Sequence, residues 1–332
     1  MKRRTFLTAS IGALAPGLAG AAAERLHSGA AQAFGTTISV TVVHADEGIA
    51  RAAISAALKA AQAVDRLMSI YNPHSQVFQL NRDGVLPAPD ARLLAVLAQA
   101  RAISQMTEGA FDVTVQPLWL AYGGAAQRAG RPDALPSAVE VERARALVGW
   151  RQLAFNRHEA RFLKQGMALT LNGLAQGYAA DLAMATLRRH GVRNALLDTG
   201  EFAASGSKPR RRPWTLGVRD PRDEGAMTDI LRPGDRCVAT SGDYESAFTQ
   251  DRVHHHIFDP ARGDSPPELA GVTVLAPCGL LADGLSTAFM VMGAKKAHAL
   301  AARLPGIDLL TVDKQGAARR SPGFAEAAGR AA

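Results

Sequence analysis

Asp283 and Thr287 stand four residues apart in Ala282-Asp283-Gly284-Leu285-Ser286-Thr287. At the start of a helix this spacing puts a carboxylate and a hydroxyl on one face. Mg2+ takes oxygen ligands of this kind and leaves room for phosphate oxygens. The plainer use of the pair is a helix cap and a threonine bonded to its own backbone. A second segment, Thr170-Leu171-Asn172-Gly173-Leu174-Ala175-Gln176-Gly177-Tyr178, runs from a strand through a glycine turn into a helix. Exposed N–H groups and the helix dipole make such a start a phosphate site, and the Gly173 carbonyl can ligate a hard cation. An asparagine cap with close helix packing explains the same pattern.

A third segment joins Thr240-Ser241-Gly242-Asp243-Tyr244 to His254-His255-His256-Ile257-Phe258-Asp259-Pro260. On a strand only His254 and His256 share a face, and no third zinc ligand accompanies them. One strand-borne histidine facing a cleft as a general base is the better reading. Tyr71, in a loop after a helix, can stack on a planar ring or anchor its own loop. Asp112, in Gly109-Ala110-Phe111-Asp112-Val113-Thr114, can accept hydrogen bonds from ring N–H groups, although its spacing favours capping the next turn.

The elements that must carry these residues are short and mixed. Residues 36–43 are β-branched and alternate, a strand. Helical spacing marks 48–68 and 89–106, with a loop over 69–84 and irregular chain over 109–124. A short helix is expected over 139–148, and 153–155 with 168–171 read as a hairpin. A helix over 173–190 stops at Gly191. Further strands are expected over 194–197, 214–218, 236–239, 254–258, 272–275 and 309–312, and helices over 282–292 and 295–304. Residues 317–332 have little to bury and read as a disordered tail. Without regular βαβ alternation, the class is α+β, a single domain with a mixed or antiparallel sheet and packed helices.

Composition bounds the function. The 332 residues are 47% hydrophobic and 20% charged, enough for a sizeable core. Aromatic residues make up only 5%, against a large apolar binding surface. Net charge is +8, but Lys2, Arg3 and Arg4 precede any acid, and without them it is +5. That does not describe a nucleic-acid binder. Two cysteines, Cys237 and Cys278, exclude a disulfide-dense scaffold. The twin arginines stand before an apolar, small-residue stretch over 11–23 that is too short to span a membrane. Residues 1–23 therefore resemble a Tat-type export signal, which implies a periplasmic mature chain without a membrane span.

Taken together, Met68-Ser69-Ile70-Tyr71, Gly109 to Thr114, Gly177-Tyr178-Ala179-Ala180-Asp181, Thr240 to Tyr244, His256 to Pro260 and Ala282 to Thr287 resemble, in order, the motifs of the ApbE family of FAD:protein FMN transferases. The resemblance covers about residues 34–293 and implies a T-fold-like core within a domain over 24–316. It further implies a Mg2+-dependent transfer of FMN from FAD to a Thr or Ser hydroxyl of an acceptor flavoprotein, with AMP leaving. By the same resemblance the metal falls on the Gly173 carbonyl, Asp283, Thr287 and the neighbouring Ser286. Flavin contacts fall on Phe34, Tyr71, Ala110, Phe111, Asp112 and Ile257, and His256 is the base.

Two departures stand out. Thr170 and Gln176 occupy positions where most of the family has Asp and Lys, a joint loss of charge that reads as a co-adjusted pair of FAD-site residues. Ser286 replaces an acid found in some members. The Asn172-Gly173-Leu174-Ala175-Gln176-Gly177-Tyr178 form, with Asp198-Thr199-Gly200-Glu201-Phe202, resembles the NosX-type branch, which implies a membrane acceptor of the NosR type and a link to nitrous oxide reduction. Two other readings remain open on sequence: an FAD pyrophosphatase that uses water as acceptor, and a non-catalytic flavin carrier or assembly chaperone.

Overall fold

Two antiparallel strands open the chain, β1 (Arg25–Ala33) and β2 (Thr36–His44), in a computed structural model that describes residues 24–131, 133–223 and 225–329. The expected export signal over 1–23 lies outside the described residues. Helix α1 (Glu47–Met68) starts at Asp46, whose Oδ1 accepts from the Ile49 N–H at 2.9 Å. Its Ala50, Ala53, Ile54, Ala57, Leu58 and Ala61 are buried at helical spacing. Next come α2 (Gln76–Asp83), β3 (Val85–Pro87), α3 (Ala91–Met106), α4 (Gln116–Ala129), α5 (Ala138–Arg145), β4 (Leu153–Phe155) and β5 (Glu159–Phe162). They are followed by α6 (Ala175–Arg189), β6 (Asn194–Asp198), β7 (Phe202–Ser205), β8 (Leu216–Arg219), β9 (Met227–Leu231) and β10 (Cys237–Gly242). The chain closes with β11 (Leu269–Ala276), α7 (Gly279–Ala301), β12 (Asp308–Asp313), β13 (Ala318–Arg320) and α8 (Pro322–Ala327).

Eight strands form one antiparallel sheet in the order β1-β2-β6-β7-β10-β11-β12-β13. Side-chain alternation divides its residues between two cores. Val272, Val274 and Leu309 join α1, α6 and α7 in the main core, whereas Leu275, Leu310 and Val312 join Leu216, Val218, Leu231 and Phe324 on the other side. All of β11 is buried, which is why it reads as an apolar run interrupted only by Thr273, whose hydroxyl bonds that of Thr240. The expected α+β class and single-domain architecture are what the chain adopts. Among the described residues no helix is long and apolar enough to cross a membrane.

Several local expectations are corrected. The tail expected to be disordered forms β13, paired with β12, and α8 as far as Ala327. Its single large apolar residue, Phe324, is fully buried in the second core, and Ser321 caps the helix. One anchor in a polar segment gives no periodicity, so the sequence pattern missed it. Phe324→Ala is expected to cost about 3–5 kcal/mol, the usual range for emptying a buried phenylalanine site, read as a lower denaturant midpoint. An unchanged midpoint would show that the C-terminal segment contributes nothing to stability.

The expected loop over 69–84 contains α2, and the stretch over 109–124 contains most of α4, with Pro117 at its start. Strand β4 pairs with β5 rather than with 168–171, whose Leu169 is held instead by the Asn81 side chain through two 2.8 Å bonds. The two helices expected over 282–292 and 295–304 do form: they run on as α7, separated by a kink at Gly293 (φ 76°). Residues 254–258 form no strand. They lie in the long connection between β10 and β11, with a single bridge between His255 and Ala247. Both cysteines are free thiols.

Candidate active site

The site is built where α6 and α7 meet. Asp181 on α6 caps α7: its carboxylate accepts from the Gly279 N–H at 2.6 Å and the Leu280 N–H at 2.9 Å. Closer to the start of α6, the helices touch backbone to backbone. A β-carbon on Gly177 would lie 2.2 Å from the Gly279 carbonyl oxygen and 2.7 Å from the Asp283 β-carbon. This approach lets the Gly177 N–H donate to Asp283 Oδ2 at 3.0 Å. The obstacle to a side chain is backbone, so Gly177→Ala is expected to push the helices apart. A loss of about 1–3 kcal/mol in unfolding free energy, together with lost activity, is the predicted result. Wild-type stability in this variant would contradict the close crossing.

Around Asp283 the donors are all oxygen. A β-carbon on Gly173 would lie 2.8 Å from Thr287 Oγ1 and 3.7 Å from the Phe111 ring, so the glycine turn, Phe111 and the third turn of α7 converge. Ser241, at the end of β10, approaches Thr287 Oγ1 at 3.2 Å and Ser286 Oγ at 2.7 Å. Ser286 donates its one proton to the Asp283 carbonyl at 2.8 Å, so Ser241 donates to Ser286. Ser286 is fully buried, and with both bonds made it stands behind Asp283 and Thr287 rather than beside them.

Two buried carboxyls crowd this centre. Burial and the charge of Asp181 push Asp283 up to about 7, against the lowering effect of the Gly177 hydrogen bond. Glu201, which accepts from the Thr240 N–H at 3.0 Å, is raised well above the usual range by its own burial and then by Asp283. Neither carboxyl forms an ion pair among the described residues. A hard divalent cation fits such a set: it would hold both acids ionised, and carboxylate, hydroxyl and backbone carbonyl oxygens are the ligands it takes. The residues therefore fit Mg2+. Among the described residues no three His, Cys, Asp or Glu side chains group as a metal cluster.

The three histidines go to three different places. His254 bonds Asp264 at 2.7 Å, and His255 is fully buried. His256 is half-buried, and its Nδ1 lies 3.2 Å from the Ser246 carbonyl, which also accepts the His256 N–H at 2.9 Å. A carbonyl only accepts, so Nδ1 carries the hydrogen and Nε2 keeps a free lone pair. Burial lowers the proton affinity of this ring, so it stays neutral near pH 7. The expectation that His254 and His256 share a strand face is overturned, and the shared zinc site it would have allowed goes with it. Ile257, the next residue, is buried in the main core.

The remaining residues divide. Tyr71 is 68% exposed, so it does not anchor its loop; Ser69 Oγ does that by accepting the Tyr71 and Asn72 N–H groups. Its ring is free to stack. Phe34 occupies the β1–β2 turn at φ 53°, and pairing of Ser39 with Asp198 puts that turn at the same end of the sheet as the 198–201 turn. Ala110 is half-buried ahead of buried Phe111. Asp112 is engaged by the protein: it accepts from Thr114 N–H and Oγ1 at 2.8 and 2.6 Å and from the Trp150 N–H at 2.9 Å. It holds the chain around Phe111 in place. Thr170 Oγ1 accepts from the Asn172 N–H at 3.2 Å. Gln176 donates to the Thr199 carbonyl at 2.9 Å, and Thr199 Oγ1 returns a bond to the Gln176 carbonyl at 2.9 Å. A neutral amide thus fixes the turn that carries Glu201.

Ser241, Asp181 and Glu201 were not among the expected site residues. Ser241 lay inside a recognised motif, and Asp181 closed another. Glu201 had only its position after Asp198-Thr199-Gly200 to mark it.

Comparison with known proteins identifies the family and the fold. The model of the ApbE family matches residues 34–311. The FAD:protein FMN transferase of Vibrio cholerae serotype O1 is 32% identical over 244 residues, 72% of each chain. The Salmonella typhimurium protein of the same name is 31% identical over 264 residues, 76% of this chain and 74% of its own. Among solved structures, flavin transferase ApbE from Vibrio cholerae superposes with a TM-score of 0.78 at 27% identity, covering 91% of this chain and 99% of its own. The ApbE protein of Thermotoga maritima gives a TM-score of 0.82 at 29% identity, with 92% and 99% covered. Both likenesses run through the whole fold that builds the Asp283 site, and the chain belongs to the ApbE family.

Proposed function

We propose that this chain is an FAD:protein FMN transferase that uses Mg2+, moves FMN from FAD to a Thr or Ser hydroxyl of an acceptor flavoprotein, and releases AMP. The observation that carries the metal reading is the pair of buried carboxyls, Asp283 and Glu201, neither of them in an ion pair among the described residues, beside the Ser241 and Thr287 hydroxyls. Gly173, Asp283 and Thr287 are the residues that would hold Mg2+, with Ser241 and Ser286 fixing the Thr287 hydroxyl and the α7 backbone. When bound, the ion neutralises the diphosphate and the charge that develops on departing AMP.

The chain's own groups supply the rest. The glycine turn at Gly173 and the start of α6 offer a polar cradle where a diphosphate can approach backbone closely. Phe111, held by the Asp112 bonds, and the exposed Tyr71 ring are surfaces for the flavin. His256 Nε2 takes the proton of the acceptor hydroxyl as its oxygen bonds the FMN-side phosphorus. The phosphoanhydride bond to AMP breaks, and AMP leaves with that electron pair.

The export signal read over 1–23 supports a periplasmic enzyme delivered by the Tat route. The 170–178 and 198–202 segments support the NosX-type branch and a NosR-type membrane acceptor. A site assembled around a diphosphate should bind FAD more tightly than FMN when Mg2+ is present. Titration of the purified protein with each flavin tests this; equal affinities would count against the diphosphate site.

A further inference from the structure

Just beyond β10, side chains from four segments meet inside the protein without touching the Asp283 cluster. The Asp243 side chain has no solvent exposure, and its Oδ2 accepts from the Arg222 guanidinium and, at 2.6 Å, from Lys314 Nζ. Lys314, which follows β12, also donates to the Arg252 carbonyl at 3.1 Å. Arg252 donates in turn to the Pro221 carbonyl at 2.9 Å, next to Arg222. Its φ of 59° lies in the left-handed region, a conformation an arginine keeps only where its surroundings hold it. His255 Nδ1 accepts from the Ile257 N–H at 3.4 Å, which leaves the hydrogen on Nε2. That buried donor has no partner, nor does Asp243 Oδ1 or Arg222 Nε.

A network with two cations on one carboxylate and three unsatisfied buried atoms is a poor way to stabilise a fold, because apolar packing would do as well without those costs. Its place in the chain suggests another use. Asp243 follows Ser241 and Gly242, and Ser241 touches Thr287 Oγ1. Three residues later, the Ser246 carbonyl orients the His256 ring. The clamp therefore sits between the hydroxyl cluster and the base.

We infer that Asp243 is a positioning residue for the transfer step: held by Arg222 and Lys314, it fixes the segment from Ser241 to Ser246 and thereby the place of His256 relative to Asp283 and Thr287. The inference rests on the reading of His256 as the base. Misplacement of a reacting group by an ångström costs about 10²-fold in rate, so a loss of about 10–100-fold in kcat is expected for Asp243→Asn. KM and Kd for FAD should not change.

Four variants of the full-length protein test this, each assayed for FMN transfer at saturating FAD, FAD affinity and melting temperature. Lys314→Met should slow transfer, and Lys314→Arg, which keeps the charge, should retain it. The double variant Asp243→Asn with Lys314→Met lacks the stranded ammonium, so it should melt closer to wild type than Asp243→Asn does and yet remain slow. A role confined to stability would restore rate together with melting temperature, and that result overturns the proposal. Asp243→Asn at full rate, or with weakened FAD binding and unchanged kcat, also overturns it. His256→Ala run in parallel separates the two readings: if it is slow while the Asp243 variants are fast, only the positioning role falls; if it is fast, the base reading falls and takes this one with it.

Discussion

Asp283→Ala is expected to abolish Mg2+-dependent FMN transfer while the protein stays folded. If the carboxylate holds Mg2+, it is the negative charge offered to the cation, and removing one preorganised electrostatic contact at a phosphoryl-transfer centre costs about 10²–10³-fold or more. Stability should change little, for two opposed reasons. The Gly177 N–H loses its acceptor, which costs about 1–3 kcal/mol for a buried donor. Against that, the variant no longer buries a carboxyl whose ionisation is already pushed up to about 7. Activity with and without added Mg2+, beside a melting curve, separates a metal ligand from a structural contact. Full activity in the variant would remove the metal assignment.

His256→Ala is the second large effect. If Nε2 takes the proton of the acceptor hydroxyl, transfer at saturating FAD should slow by about 10²–10⁴-fold, the range for general-base catalysis. FAD affinity should hold, since the groups proposed to hold the diphosphate are on α6, α7 and the Gly173 turn. The ring's hydrogen-bond partner, the Ser246 carbonyl, also keeps the His256 backbone N–H, so the loop loses little. Tyr71→Ala should show the reverse pattern, with weaker FAD binding and a rate near normal at saturation. An unchanged rate in His256→Ala would remove this residue from the chemistry.

How much of this was legible in the sequence depended on the kind of signal each residue gives. Helix starts and i, i+4 spacing are local properties, so the motifs at Gly173 and Asp283 could each be read alone, whereas their meeting was implied only by the family resemblance. The antiparallel sheet was only half specified. Strands such as β11, buried on both faces, announce themselves as apolar runs, whereas β1 carries Arg25, His27, Ser28 and Gln32 and owes its place to pairing with β2. The histidine run misled for a related reason. An alternation rule holds on a strand, and these residues sit in a connection whose shape is set by His254 on Asp264, His255 on Ser265 and His256 on Ser246. Glu201 was hidden because its burial depends on Gln176, Thr199 and Thr240, which are far apart in sequence. The neutral Thr170 and Gln176 read as one adjustment, but they bond different turns: Thr170 its own at Asn172, and Gln176 the 198–201 turn at Thr199.

Transfer and hydrolysis break the same phosphoanhydride bond of FAD and differ in what attacks the phosphorus. Intact mass of a candidate acceptor, incubated with this protein, FAD and Mg2+, distinguishes them. The predicted result is an acceptor heavier by one FMN less one water, AMP in equal amount, and neither product once EDTA is present. AMP and free FMN beside an acceptor of unchanged mass would mean that water is the acceptor, and no AMP at all would mean a flavin carrier; either result contradicts an FMN transferase.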